Sequence, residues 1–162
     1  LPIIAEDLGY ITADVHEMMA DFGFPGMKVL IFGFAGDVAR NPHAPHNIQQ
    51  GCVAYTGTHD NNTVRGWFEN EVSSDQRNLI FRYIGGSFGA DNAHRIFIRL
   101  AMLSPAETVI VPMQDILGLG AEARMNRPGT SGGNWEWRLL PEQMEDLVMR
   151  EFSEITGLYG RK

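Results

Sequence analysis

Residues 53–62 read Val-Ala-Tyr-Thr-Gly-Thr-His-Asp-Asn-Asn, so a run suited to a buried strand gives way to His59, Asp60, Asn61 and Asn62 with no apolar residue among them. A turn uses one or two such residues; four in a row, two of them able to carry charge, exceed what a turn needs. Glu6 and Asp7 close the apolar run Pro2–Glu6 in the same way, and Gln114 and Asp115 follow the run Glu107–Pro112. Carboxylates that end different strands face each other across a crevice. Two carboxylates in unlike environments suit glycoside chemistry, one acting as proton donor and one staying ionised. Glu6 and Asp60 form that pair. The alternative is that Glu6-Asp7 only begins a loop and caps a helix. His59 is either a locally satisfied loop histidine or a donor to a sugar hydroxyl; no second histidine lies at helical spacing from it, which argues against a metal ligand.

Other chemistry-bearing residues carry less. His43 and His46 have H-x-x-H spacing, but Pro42 and Pro45 surround them and a zinc site needs more ligands, so the segment reads as an exposed loop. Trp135 and Trp137 alternate, which lets one be buried while the other faces a groove; a packing anchor is the commoner use of a loop tryptophan. The glycines of Pro128-Gly-Thr-Ser-Gly-Gly are followed by no Lys-Ser/Thr, which excludes a P-loop, and no other nucleotide-binding fingerprint is present.

The elements that position these groups can be read from periodicity and punctuation. Thr12 caps a helix through Phe22 in which Val15, Met18, Met19 and Phe22 share one face, and Gly23 stops it. Met27–Phe32 is an apolar run suited to a doubly buried strand, and Cys52–Tyr55 is another, after a loop over 36–51. Helical patterns follow over Thr63–Asn70, Asp75–Ile84 and Asp91–Leu103, the last with Ile96, Leu100 and Leu103 as its stripe. Glu107–Pro112 supplies the fourth strand. A final helix runs from Pro141 to Thr156, with Gly157 as its stop. Four short buried strands alternating with helices predict an α/β fold with parallel strands, in which the site lies at the C-terminal strand ends. Glu6-Asp7, His59-Asp60 and Gln114-Asp115 all fall there.

The 162 residues, 44% apolar, are enough for one domain with a sizeable core. A net charge of −7 argues against nucleic acid or an anionic membrane as a partner, and no apolar run approaches the roughly 20 residues of a membrane helix. One cysteine, Cys52, excludes an internal disulfide and points to a reducing cytoplasm. The opening Leu-Pro-Ile-Ile-Ala-Glu reads as a strand already in progress, so the chain is expected to be a fragment of something longer.

Several blocks in one order carry a family resemblance: Ile-Ile-Ala-Glu-Asp-Leu-Gly from Ile3, Phe24-Pro-Gly-Met-Lys-Val-Leu, Tyr55-Thr-Gly-Thr-His-Asp-Asn-Asn-Thr, Met125-Asn-Arg-Pro-Gly-Thr and Gly133-Asn-Trp-Glu-Trp-Arg. Together they closely resemble the C-terminal part of the 4-α-glucanotransferases, also called amylomaltases or disproportionating enzymes, over essentially all of residues 1–162. The resemblance implies the C-terminal half, strands five to eight, of a TIM (β/α)₈ barrel that moves α-1,4-glucan segments between chains with retention and without a cofactor or metal. It implies Glu6 as general acid/base and Asp60 as the carboxylate that stabilises the transition state. His59 would hydrogen-bond the same sugar, with Asp7 and Asn126 in or beside the substrate groove. The family nucleophile, an aspartate in an Arg-Ile-Asp-His type of motif, has no counterpart in this sequence. An isolated chain of this kind is expected to lack transfer activity and to self-associate. A related α-glucan hydrolase and a non-catalytic carbohydrate-binding piece are the alternative readings.

Overall fold

The computed structural model describes residues 3–144 and 146–161. Three parallel strands, β1 (Gly26–Val29), β2 (Cys52–Tyr55) and β3 (Thr108–Ile110), form one sheet in that order. Gly26 is in register with Cys52, and Val53 with Thr108. The central strand is the buried one: Cys52, Val53 and Ala54 are all buried, whereas Ile110 on the outer strand β3 is 40% exposed.

Helices α1 (Ala13–Phe22), α2 (Val64–Asn70), α3 (Ser74–Ile84) and α4 (Ala90–Leu103) follow the expected spans to within a residue or two. Gly23 stops α1 as expected, whereas Thr12 stands at its N-cap position without a side-chain cap hydrogen bond. Thr63 and Ser73 accept the N–H groups of Gly66 and Gln76 at their helix N-termini, and Gly23 and Gly85 close α1 and α3 in left-handed conformation. Val29, Leu30, Phe34, Phe68, Ile80 and Phe97 make the fully buried centre of the core. Its aromatic rings meet edge-on, Phe34 to Phe97 at 5.4 Å and Trp67 to Phe97 at 5.3 Å between centroids. Burying each such ring stabilises the fold by roughly 1.5–3 kcal/mol.

Four elements depart from expectation, each for a physical reason. The expected strand Pro2–Glu6 is not a strand over its described part; Pro2 itself lies outside the described residues. Ala5 donates its N–H to the Pro25 carbonyl at 2.9 Å, but the next rung is diverted, because Met27 N–H goes to the side chain of Asp7 at 2.6 Å. The run Met27–Phe32 leaves strand geometry after Val29 and turns into a 3₁₀ helix, Leu30–Phe34. Gly33 lets that turn abut the 43–44 backbone, where an added Cβ would sit 2.6 Å from the His43 carbonyl. On α4 the buried stripe is Ala93, Phe97, Ile98, Ala101 and Met102, while Leu103 is 63% exposed. Both stripes satisfy helical spacing, and the one with two alanines permits the closer approach of α2. The last helix is interrupted: a 3₁₀ turn, Pro141–Gln143, precedes α6 (Asp146–Leu158), with Glu145 outside the described residues and a short α5 (Met113–Ile116) earlier in the chain. Gly157 lies inside α6, and Gly160, at φ 67°, follows its end. Arg161 then anchors that end, donating to the carbonyls of Met102, Ser104 and Ala106 at 2.5–2.9 Å.

Candidate active site

A cleft of about 1080 Å³ opens beyond the C-terminal ends of β1–β3. Glu6, His59 and Asp60 all line it, with Phe32, Asn61 and Trp135. The shared cleft expected for Glu6 and Asp60 is therefore present in the geometry. On the Glu6 side, one carboxylate oxygen accepts the Leu8 N–H at 2.8 Å. Asp7, expected in or beside the groove, does not line it: its side chain is 6% exposed and turns to β1, accepting from Met27 N–H and pairing with Lys28 Nζ at 3.3 Å. Gly26 is the residue that leaves it room, since a Cβ there would clash with the Asp7 carboxylate. Asp7 fastens the Glu6 segment to the sheet.

The four polar residues after β2 divide their labour. Asn61 accepts from the N–H and hydroxyl of Thr58 at 2.8 and 2.9 Å, closing the loop on itself. Asn62 donates to Glu71 and accepts from the Thr63 N–H, setting the start of α2. His59 and Asp60 remain for the cleft, 57% and 48% exposed at their side chains. His59 Nε2 lies 3.4 Å from Asp60 Oδ1, and Asn126 Nδ2 donates to the same oxygen at 2.6 Å. Among the described residues no hydrogen bond or ion pair engages Asp60 Oδ2, so that oxygen is available to a ligand. Asn126 does not line the cleft itself; it stands behind Asp60 and also donates its backbone N–H to the His59 carbonyl at 3.0 Å.

Arg124 completes this support and was not anticipated from the sequence. It donates to the Asp60 carbonyl and the Asn126 carbonyl, both at 2.8 Å, and reaches Glu71 at 3.4 Å. One guanidinium thus ties the 124–126 segment to the His59-Asp60 loop. Its only sequence signal is its place two residues before Asn126. His43 also differs from expectation: it is half-buried, accepts the Val29 N–H through Nδ1 at 3.1 Å, and is pushed below the ordinary histidine range by burial and by Lys28. His46 turns instead to the Tyr83 hydroxyl at 2.9 Å, so the H-x-x-H pair serves two separate anchors.

The third polar strand end is structural. Asp115 is 1% exposed and accepts from the Thr56 hydroxyl at 2.6 Å and the Val64 N–H at 2.7 Å, joining the end of β2 to the start of α2. Burial pushes its carboxyl from an ordinary 3.8 up to about 6, against the pull of those two bonds. The raised value fixes the sign of its effect. Its contribution to stability is fully present below about pH 4 and is lost as pH rises through 6, a change on the order of 3 kcal/mol. His43 and His94, both pushed down by burial, act in the opposite direction over much of the same range. The measurement is therefore a difference: urea unfolding of the wild type and of Asp115→Asn between pH 4 and 7. Asn keeps an acceptor for Val64 and offers its amide to the Thr56 oxygen, so the variant should gain stability relative to wild type as pH rises. Parallel pH profiles would contradict a buried titrating Asp115.

A family model described as 4-alpha-glucanotransferase matches residues 1–143. The 4-alpha-glucanotransferase of Synechocystis is 50% identical over all of the chain and 32% of its own length. The chloroplastic/amyloplastic 4-alpha-glucanotransferase of Arabidopsis thaliana is 45% identical over 99% of the chain and 28% of its own length. Among solved structures, amylomaltase from Streptococcus agalactiae in complex with acarbose superimposes with a TM-score of 0.92 at 38% identity, covering 99% of this chain and 32% of that one. The chain spans about a third of the length of these relatives.

Proposed function

The chain belongs to the 4-alpha-glucanotransferase family, and from that premise we propose that it supplies part of the catalytic cleft of an enzyme that transfers α-1,4-glucan segments between chains with retention. The observation that carries this reading is the opening of Glu6, His59 and Asp60 into one cleft at the C-terminal strand ends. The acarbose complex of the streptococcal relative supports a sugar ligand. In the proposed roles, Glu6 protonates the leaving glycosidic oxygen and then takes the proton of the acceptor hydroxyl. Asp60 stays ionised, its free oxygen gripping the hydroxyls of the ring on which positive charge develops, while Asn126 holds its other oxygen. His59 hydrogen-bonds the same ring. Asp7 takes no part in contact with sugar.

Retention by this route needs a carboxylate nucleophile on the opposite face of the ring. The reading assigns it to the Arg-Ile-Asp-His type of motif, which these 162 residues do not contain, and it assigns the three parallel strands to the C-terminal half of a (β/α)₈ barrel as one domain portion over 1–162. The buried, unpaired Cys52 fits a reducing cytoplasm, and no described helix is long and apolar enough to cross a membrane. The partially exposed edge strand β3 is the place where an isolated chain would self-associate.

Maltotriose tests the reading. The 162-residue chain alone should leave it unchanged, whereas an enzyme of the relatives' full length that carries this chain should produce glucose together with longer glucans. Glucose and maltose without longer products would replace transfer by hydrolysis. Unchanged maltotriose with the full-length enzyme would leave only a carbohydrate-binding role.

A further inference from the structure

Trp135 is the only non-glycine residue with positive φ among the described residues, at 63°. A bulky side chain in the left-handed region is strained, and such strain persists where the surroundings over-determine it, commonly at ligand sites. Both backbone groups of Trp135 are held: its N–H donates to the Met125 carbonyl at 2.7 Å, and its carbonyl accepts from Arg138 at 2.7 Å. That restraint does not serve burial. The residue is 53% exposed, lines the cleft, and sets its ring 5.0 Å from that of His59 at an angle of 39°. A packing anchor would hide the indole; here the chain bends unfavourably and leaves it half open beside the two groups aimed at a sugar.

We propose that Trp135 is a stacking platform for a glucose ring of the α-glucan, presented by a backbone conformation kept for that purpose. An indole face matches the C–H face of a pyranose, while His59 and Asp60 take the ring's hydroxyls, so apolar and polar recognition meet on one unit. The proposal rests on the glucan reading above, and its test separates the two. The sample is a ¹⁵N-labelled enzyme of the relatives' full length that carries this chain, with Glu6→Gln to block turnover. Its indole N–H resonances, assigned through single Trp→Phe variants, are followed as maltoheptaose is added to tens of millimolar. Movement of the Trp135 indole together with the His59 and Asp60 amides, with the buried Trp67 still, supports it. Movement of His59 and Asp60 with a stationary Trp135 overturns the platform and leaves the glucan reading standing. No movement anywhere overturns the glucan reading of this cleft and the platform with it.

Trp135→Gly adds a readout that packing would not share. Glycine relieves the left-handed strain, so the thermal midpoint should stay within about 2 °C of wild type while maltoheptaose binding weakens about tenfold. Trp135→Phe should keep most of the affinity. A midpoint lowered by about 10 °C or more with unchanged binding would assign the ring to packing.

Discussion

Glu6→Gln, in an enzyme of the relatives' full length that carries this chain, should lower transfer from maltotriose by about 10²–10⁴-fold, the usual worth of a positioned general acid. The same variant should keep most of its rate with an α-maltosyl fluoride donor, because fluoride leaves without being protonated. The geometry makes the substitution clean. Glu6 lines the cleft, and among the described residues its carboxylate accepts one hydrogen bond, from the Leu8 N–H. A glutamine oxygen accepts that bond equally well, so the loop is preserved and only the transferable proton is removed. Equal loss on both donors would mean that Glu6 does something other than protonate the leaving oxygen, and the acid/base role would fall.

Which of Glu6 and Asp7 faces the cleft was not legible, because two neighbouring carboxylates at the end of an apolar run look alike in sequence. Nor did the sequence reveal the destination of the other, because the partner of Asp7 is Lys28, distant along the chain, and the space for it is made by Gly26. Helix ends were readable at Gly23 and Thr63, where a local device sets them; Ser73 and Gly85 do the same for α3 without having stood out in the sequence. The buried stripe of α4 was not, since two apolar faces fit the same period and the choice is made by how closely α2 approaches. Asp115 and Arg124 show the same limit from the polar side. A carboxylate after a strand looks alike in sequence whether it meets substrate or, as here, the Thr56 hydroxyl and a helix start. Arg124 acts through carbonyls, which leave no trace in residue type.

Asp60→Asn should fail on both kinds of donor, by about 10³-fold, because in the proposed role its charge acts on the sugar ring and not on the leaving oxygen. The substitution is isosteric. Asn126 can still donate to the side-chain oxygen it now holds at 2.6 Å, and Arg124 still donates to the backbone carbonyl of residue 60. The fold of the loop should therefore survive, with the lost quantity being fixed negative charge beside a ring that becomes oxocarbenium-like. Asn126→Ala supplies the graded comparison: the charge remains but is no longer oriented, so the loss should be nearer tenfold and equal for both donors. Asn126→Asp should be worse than Asn126→Ala, since two carboxylates at that separation cannot both stay ionised and one must take up a proton. Rates for these three variants with maltotriose and with the fluoride decide the matter. If Asp60→Asn spared the fluoride while abolishing transfer from maltotriose, Asp60 would be the proton donor, and the division of labour between the two strand ends would have to be exchanged.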